Sequence, residues 1–217
     1  MNEYLKWNET TIASFSEENI NSLYNEGYVF GRPNKGYMNQ TRSMRIDLSK
    51  FEMSSENRRV LRKTEDLQLE VNSVPYEKYS WEIGKLAKDF YTEKFGDGTF
   101  SANKIKEILT TKHNFNKLFV YSVADQDTGY AICFEDDDIF HYSYPFYNLE
   151  ANKNTGMGMM LRAIEYAKEH NKKYIYLGSA QRPSDTYKLQ FKGLEWFDGE
   201  KWDSDLEELK KILHDSK

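Results

Sequence analysis

The sequence predicts an α+β fold in which a mixed, mostly antiparallel sheet is flanked by helices. Three runs with strand-like alternation, within residues 117–147, follow one another across short Asp- and Gly-rich turns, which indicates an antiparallel meander. Residues 155–171 then carry apolar side chains at helical spacing, and the apolar run at 173–179 indicates a buried strand. A meander followed by a helix and another strand is typical of an α+β domain.

The elements follow in chain order. Within residues 1–66, Gly31 and Gly36 indicate the turns of a hairpin, and an extended segment comes next. Ser54 and Ser55 begin a short helix, because serine accepts hydrogen bonds from the free amides of a first helical turn. The main series is strand, two helices, three strands, helix, strand, short helix and strand, before an amphipathic tail. Its segments are 67–74, 76–95, 101–113, 117–124, 128–135, 138–147, 155–171, 173–179, 184–193 and 194–202, with the tail at 205–213. We therefore expect an N-terminal extension, residues 1–66, packed on a domain formed by residues 67–217.

Composition narrows the function classes. Charged residues make up 30% and aromatic residues 15% of the 217 residues, and the net charge of −5 argues against a protein that is basic all over. A single cysteine, Cys133, excludes a disulfide framework and a cysteine-based metal site, and the four histidines have no metal-ligand spacing, so we expect no metal.

Residues 1–15 lack the apolar core of a signal peptide, and no segment is long enough to span a membrane. We expect a cytoplasmic protein without a membrane partner, and its oligomeric state stays open.

A glycine turn stands between the last strand of the meander and the amphipathic helix. It consists of Lys153, Asn154, Thr155, Gly156, Met157 and Gly158. Glycine lets a backbone approach a ligand closely, and unpaired amides at a helix N-terminus hold a phosphate. The turn resembles the R/Q-x-x-G-x-G/A motif of GNAT acyltransferases, with lysine in the first place, and the element order over about 67–200 resembles theirs as well. We expect these six residues to bind an acyl donor that carries phosphate, although the two glycines can also serve only to form a tight corner.

Longer blocks resemble the arginyl/leucyl-tRNA-protein transferases. The segment KKYIYLG at 172–178, the pattern Tyr187-Lys188-x-x-Phe191-x-x-x-Glu195 and Trp202 are similar to that family's C-terminal signature. Gly27-Tyr28, Tyr37, Arg45-Ile46, Phe51 and residues 54–67 are similar to its N-terminal region, so that the blocks span most of residues 23–202. The resemblance implies transfer of an arginyl or leucyl group from tRNA to a protein N-terminus, with Asp or Glu as the acceptor residue in N-end rule modification. The family's N-terminal cysteine cluster is missing here.

Two residues are candidates for proton transfer. Tyr187 resembles the tyrosine with which many GNAT enzymes protonate the leaving group, since a phenol donates to developing negative charge without being ionised. The alternative for Tyr187 is a packed aromatic ring. His141 could accept a proton from the attacking amine because imidazole titrates in the suitable range, and the alternative is a structural histidine.

The binding candidates are of two kinds. Ser179 and Lys188 join the glycine turn as donor-binding residues, and the alternative for Lys188 is a surface charge. A basic helix face and one aromatic residue are candidates for tRNA or acceptor binding, namely Arg58, Arg59, Arg62, Lys63 and Tyr144. The alternatives are a solvated helix face and a core tyrosine.

The expected function is therefore transfer of an aminoacyl group from aminoacyl-tRNA to an acceptor α-amine, with no cofactor besides the donor substrate. A first alternative is an N-acetyltransferase that uses acetyl-CoA, which the second glycine, Gly158, favours. A second alternative is a non-catalytic module that binds tRNA through the basic helix.

Overall fold

The computed structural model describes residues 4–215. It is an α+β fold with a mixed, mostly antiparallel sheet flanked by helices, so the predicted fold class is confirmed. The strands are β1 (Asn8–Thr11), β2 (Tyr28–Phe30), β3 (Tyr37–Gln40), β4 (Ser43–Asp47), β5 (Gln68–Ser73), β6 (Lys117–Val123), β7 (Gln126–Glu135), β8 (Ile139–Tyr147), β9 (Tyr174–Ser179), β10 (Leu194–Phe197) and β11 (Trp202–Asp203). The α-helices are α1 (Glu17–Asn25), α2 (Ser55–Lys63), α3 (Trp81–Phe95), α4 (Ala102–Thr110), α5 (Thr155–Glu169) and α6 (Leu206–Asp215), and a 3-10 helix covers Pro183–Gln190. No helix within residues 4–215 combines the length and the apolar character that crossing a bilayer requires.

The predicted series of elements between β5 and β10 is present in the predicted order. Two N-terminal elements were not predicted, β1 and α1. Ser16 caps α1 by accepting a hydrogen bond from the Asn19 amide, but only Ile20 and Tyr24 of this helix are buried, so its apolar spacing is a weak signal. Helix α3 begins at Trp81, five residues after the predicted start at 76, with Ser80 in an extended conformation at its N-cap.

The chain folds into two compact units whose limits differ from the predicted boundary after residue 66. The first unit comprises the residues up to Ser54, Asp136–His141 and the residues from Ala167 onwards. The second unit comprises Ser55–Glu135 and Tyr142–Tyr166. The first unit unites both ends of the chain because β4 pairs antiparallel with β9 and with β10. Residues 1–54 therefore contribute a strand to the sheet of this unit.

In the first unit the strand order is β11-β10-β4-β9-β8, and β1-β3-β2 form a separate small sheet. The parallel pairing of β8 with β9 joins Ile139–His141 to Tyr174–Tyr176. Arg45, in the centre of β4, is buried, and its guanidinium carbon lies 3.9 Å from the ring centroid of Tyr174 and 4.0 Å from that of Trp202. Its Nε donates a 3.0 Å hydrogen bond to the Glu195 carboxylate, which compensates the buried charge.

In the second unit β5, β6 and β7 are antiparallel neighbours, and β7 lies beside β8. Ala124 and Asp125 turn the β6–β7 hairpin with positive φ angles of 49° and 62°, as a two-residue hairpin turn requires. The only cysteine of the chain, Cys133, is fully buried on β7, and burial raises the pKa of its thiol well above the ordinary value.

Candidate functional site

The predicted glycine turn forms the start of α5 in the second unit. The Asn152 side chain accepts from the Asn154 amide at 3.0 Å, the Thr155 amide donates to the Asn152 carbonyl at 2.8 Å, and the Gly158 amide donates to the Asn154 carbonyl at 2.8 Å. The amides of Gly156 and Met157 have no acceptor within residues 4–215. Both residues are partly exposed, and these two donors stand at the positive end of a 15-residue helix, which stabilises an anion bound there.

The two glycines allow the protein's own side chains to pack. A Cβ on Gly156 would lie 2.7 Å from the Tyr147 hydroxyl, and a Cβ on Gly158 would lie 2.6 Å from the Thr64 hydroxyl oxygen. Neither glycine has a positive φ angle. Close packing therefore explains both glycines, and the anion-binding potential of this turn depends on its free amides.

Helix α2 ends directly beside this turn. The Asn152 side-chain amide donates a 3.2 Å hydrogen bond to the carbonyl of Lys63, and Thr64 contacts Gly158. The structure thus brings together the predicted donor turn and the end of the predicted basic helix, both of which belong to the second unit. Lys63 and Lys153 are exposed, so two ammonium groups are carried by residues adjoining the free amides.

The rest of the basic helix is less uniform than predicted. Arg59 forms an ion pair with Glu56, and its Nε donates to that carboxylate at 2.6 Å. Arg58 and Arg62 are exposed. Arg59 is therefore partly neutralised, and Arg62 and Lys63 carry exposed positive charge in the last turn of α2.

A cavity of about 380 Å³ adjoins the start of α5 in the same unit. Thr64, Asp66, Glu150, Asn152 and Thr155 are among its lining residues. The lining contains two carboxylates and no basic side chain, which disfavours a phosphate inside the cavity. An anionic group at α5 would instead bind at the amides of Gly156 and Met157.

Ser179 and Lys188 lie together in the first unit, at the end of β9. The Lys188 ammonium is buried and donates a 3.2 Å hydrogen bond to the Ser179 carbonyl, and its Nζ lies 3.8 Å from where a Cβ on Gly178 would be. Burial lowers the pKa of Lys188, and the nearby Asp185 opposes this shift. The interpretation of Lys188 as a surface charge is therefore wrong.

Tyr187 presents its ring to solvent at the same place. Its side chain is 46% exposed, and the Lys188 Nζ lies 5.6 Å from the centroid of its ring. The alternative of a packed aromatic ring does not describe a residue this exposed. The role of Tyr187 as a proton donor stays a prediction.

His141 is enclosed in the first unit. It is 2% exposed, its Nδ1 is hydrogen-bonded to the Tyr24 hydroxyl at 2.9 Å, and the ring of Tyr176 is a further neighbour. Burial lowers the pKa of His141 to about 3. A substrate amine has no path to the imidazole in this arrangement, which corresponds to the structural alternative rather than to a catalytic base.

Tyr144, predicted to contact tRNA or the acceptor, packs in the second unit. Its ring makes edge contacts with Phe100 and Phe115 at centroid distances of 5.3 and 5.4 Å. These contacts favour the core alternative for Tyr144.

Three residues that shape the start of α5 were not predicted from the sequence, namely Thr64, Tyr147 and Asn152. Asn152 carried a usable signal, because an asparagine shortly before a helix is a common capping residue. Thr64 and Tyr147 carried none, because their contacts with the two glycines join segments that are distant in sequence or belong to another element.

Comparisons with known proteins concern the fold. No protein-family model matches the sequence. No curated protein matches it either. Among solved structures, L-PGS from Bacillus licheniformis is similar at 15% identity and a TM-score of 0.48, over 76% of this chain and 52% of that one. The C-terminal domain of a putative lysylphosphatidylglycerol synthetase from Agrobacterium fabrum is similar at 15% identity and a TM-score of 0.49, over 80% and 55%. FemX is similar at 13% identity and a TM-score of 0.47, over 90% and 64%.

The chain spans about half to two thirds of the length of these three structures. At identities of 13–15% and TM-scores of 0.47–0.49, the similarities carry no argument about activity or substrate.

Proposed function

We propose that this chain is an acyltransferase that moves an aminoacyl group from tRNA to the α-amine of an acceptor polypeptide. The observation that carries the proposal is the pair of amide donors at Gly156 and Met157, which have no acceptor within residues 4–215 and stand at the start of a long helix. Such donors bind phosphate well, because the partial charge of the helix end adds to the two hydrogen bonds.

The neighbouring charges favour a polyanionic donor. Lys63 and Lys153 adjoin the free amides, and Arg62 lies in the last turn of α2. A nucleotide chain offers several phosphates in a row, and each lysine or arginine that meets one releases a counterion. The resemblance to the arginyl/leucyl-tRNA-protein transferases adds an independent reason to choose tRNA as the carrier and an acidic N-terminal residue as the acceptor.

The reaction needs few groups. The acceptor nitrogen attacks the ester carbonyl carbon, the bond from that carbon to the ribose oxygen breaks, the nitrogen loses a proton and the ribose oxygen gains one. Positioning of the amine beside the ester and stabilisation of the oxyanion supply most of the acceleration in reactions of this kind. Tyr187, a residue that is 46% exposed, is our candidate for donating the proton that the ribose oxygen takes up.

The direct test uses the full chain with radiolabelled arginyl-tRNA or leucyl-tRNA and peptides that begin with Asp or Glu. We expect labelled peptide. Acetylated product from acetyl-CoA without any aminoacyl transfer would replace the proposal by an N-acetyltransferase, and salt-sensitive tRNA binding without turnover would replace it by a binding module.

Thermal unfolding with and without CoA is a cheap discriminator, because a ligand held only by the folded state raises the melting temperature. Aminoacyl-tRNA use predicts no shift with CoA. The packing of Gly158 against Thr64 accounts for this glycine without a CoA phosphate.

A further inference from the structure

A short segment without regular secondary structure, Tyr4–Trp7, is held in the first unit, and the Trp7 amide at its end donates a 3.0 Å hydrogen bond to the Gln40 carbonyl. The Leu5 amide donates a 2.9 Å hydrogen bond to the Gln181 side-chain oxygen, and the Leu5 carbonyl accepts a 2.6 Å hydrogen bond from the Thr41 hydroxyl. The Gln181 side-chain amide donates to the same Thr41 hydroxyl at 2.9 Å. Thr41 and Gln181 thus bind both polar groups of one residue's main chain, and we call this pair the main-chain clamp.

The clamp contacts only the main chain of the bound segment and does not select its side chain. Thr41 is fully buried, and the Gln181 main chain is fixed by a 2.8 Å hydrogen bond to the Asp185 carboxylate. Every residue except proline carries an N–H and a C=O in its main chain, so the clamp can hold an extended polypeptide of almost any sequence. A site for a peptide main chain requires buried polar groups that complete their hydrogen bonds only when the peptide is bound, and the Thr41 hydroxyl is such a group.

The segment also covers a residue that we predicted to bind the donor. The Tyr4 hydroxyl is hydrogen-bonded to the Ser179 hydroxyl at 2.9 Å, and Gln181 follows Ser179 by two residues. The Lys188 ammonium is bonded to the carbonyl of the same serine. A polypeptide in the clamp is therefore held beside Ser179 and Lys188.

A cation without a carboxylate partner stands next to the clamp. Arg42 follows Thr41, is half-buried, and donates a 3.3 Å hydrogen bond to the neutral carbonyl of Ala180. Its Nε is buried without a hydrogen-bond partner, and no ion pair of Arg42 is found among the described residues. Desolvation lowers the pKa of Arg42. A carboxylate from outside would supply the missing charge-assisted hydrogen bond.

We propose that Thr41 and Gln181 are the binding site for the acceptor polypeptide, that residues Tyr4–Trp7 occupy this site until an acceptor displaces them, and that Arg42 selects an acidic acceptor side chain. The role as acceptor site rests on the proposed function, whereas binding of a polypeptide does not.

The first experiment measures peptide binding without any donor. The probe is a fluorescent peptide with a free N-terminal Asp, and its partner is the same peptide with Asn. Leu5→Pro in the full chain removes the amide that Gln181 binds, and we expect it to tighten binding of the Asp peptide at least tenfold. Leu5→Ala keeps the main-chain hydrogen bonds and is the matched control, with binding as in the unaltered chain. A folded Leu5→Pro chain that binds the peptide no better than Leu5→Ala overturns the proposal.

Two further variants test the named residues in the Leu5→Pro background. Thr41→Val, which keeps the shape and removes the hydroxyl, should cost at least tenfold in affinity for both peptides. Arg42→Gln should cost affinity for the Asp peptide and leave the Asn peptide unchanged. Equal losses for both peptides in Arg42→Gln would contradict the assigned selectivity.

Hydrogen exchange keeps the proposal testable if Leu5→Pro does not fold. In the unaltered chain, a saturating amount of the Asp peptide should speed exchange of the Leu5 amide several-fold, because that amide loses its acceptor, and unchanged exchange would overturn displacement. Transfer from aminoacyl-tRNA is assayed separately. Peptide binding without transfer refutes the proposed function alone, and transfer that Thr41→Val leaves unaffected refutes the clamp alone.

Discussion

Burial determines what His141 and Lys188 contribute, although both are residue types associated with catalysis. The imidazole of His141 is enclosed by Tyr24 and Tyr176 and keeps its neutral form, while the ammonium of Lys188 is held by a backbone carbonyl beside the exposed Tyr187. Sequence spacing does not distinguish these situations, because a strand residue and a short-helix residue can each face either way.

The neutral state of His141 makes stability depend on pH. Its pKa falls from 6.5 in the unfolded chain to about 3 in the folded one, so the unfolded chain binds more protons between these values. The folded state therefore keeps its full stability with respect to His141 above pH 6.5, and it loses stability as the pH falls towards 3. Between pH 7 and pH 5 we expect His141 to cost roughly 2 kcal/mol of unfolding free energy.

Urea unfolding at several pH values checks this. His141→Gln should show a weaker fall in stability between pH 7 and pH 5 than the unaltered chain. His214→Gln, at a side chain that is 81% exposed, is the matched control for replacing a histidine by glutamine. Parallel curves for His141→Gln and the unaltered chain would refute the prediction.

The contact between Gly158 and Thr64 predicts a packing defect. A Cβ at Gly158 would lie 2.6 Å from the Thr64 hydroxyl oxygen, so Gly158→Ala should lower the free energy of unfolding by about 1–3 kcal/mol through overpacking. Thr64→Ala in the same chain should recover part of this loss, which a double-mutant cycle from thermal or urea unfolding measures. Additive effects of the two substitutions would mean that the side chains do not meet.

At the scale of elements, the meeting of α2 with the start of α5 combines three weak contributions to anion binding. The two amides, the helix dipole or the two exposed lysines would not bind a particular anion specifically if each acted alone. The Asn152 side chain links them by bonding to the Lys63 carbonyl while it caps the turn before α5. The pair of elements, rather than the glycine pattern, is the candidate site.

This arrangement predicts a salt-dependent loss of tRNA affinity. Lys63→Gln and Lys153→Gln should each weaken tRNA binding and make the dependence of log affinity on log salt shallower by about 1. Lys106→Gln, on the exposed face of α4, is the matched control and should change neither quantity. Filter binding or fluorescence anisotropy over a salt series measures both. An equal effect of all three substitutions would indicate that only net charge matters.

Much of the fold could be predicted at this scale and part of it could not. The series from β5 to β10 has clear periodicity, so its order follows from the sequence. The pairing of strand β4 could not be predicted, because its central residue is the charged Arg45. The aromatic rings that enclose its guanidinium belong to Tyr174 and Trp202, which are far along the chain. The donor turn was located from its glycines, but the reason for them, contact with Thr64 and Tyr147, depends on tertiary packing.

At the scale of the whole molecule, the first unit is built from both ends of the chain. Strand β4 lies between β9 and β10 and pairs with each of them. Residues 1–66 therefore do not form an extension that can be removed from a complete domain, because their loss removes β4 and leaves the backbone groups of β9 and β10 that face it unpaired.

We accordingly expect a fragment of residues 67–217 to lack a cooperative unfolding transition. Far-ultraviolet circular dichroism during heating compares it with the full chain, which should unfold in a sigmoidal transition. A fragment with a transition of its own and a dispersed amide spectrum would contradict this reading of the first unit.

The buried thiol of Cys133 has a practical consequence. Alkylation requires an exposed thiolate, and this sulfur is neither exposed nor readily ionised, so iodoacetamide should react only when β7 opens. Because the chain has no other cysteine, the rate of modification reports on that one event. Any compound that binds the closed form of the second unit should slow the modification, so candidate donors can be ranked by mass spectrometry before a turnover assay exists.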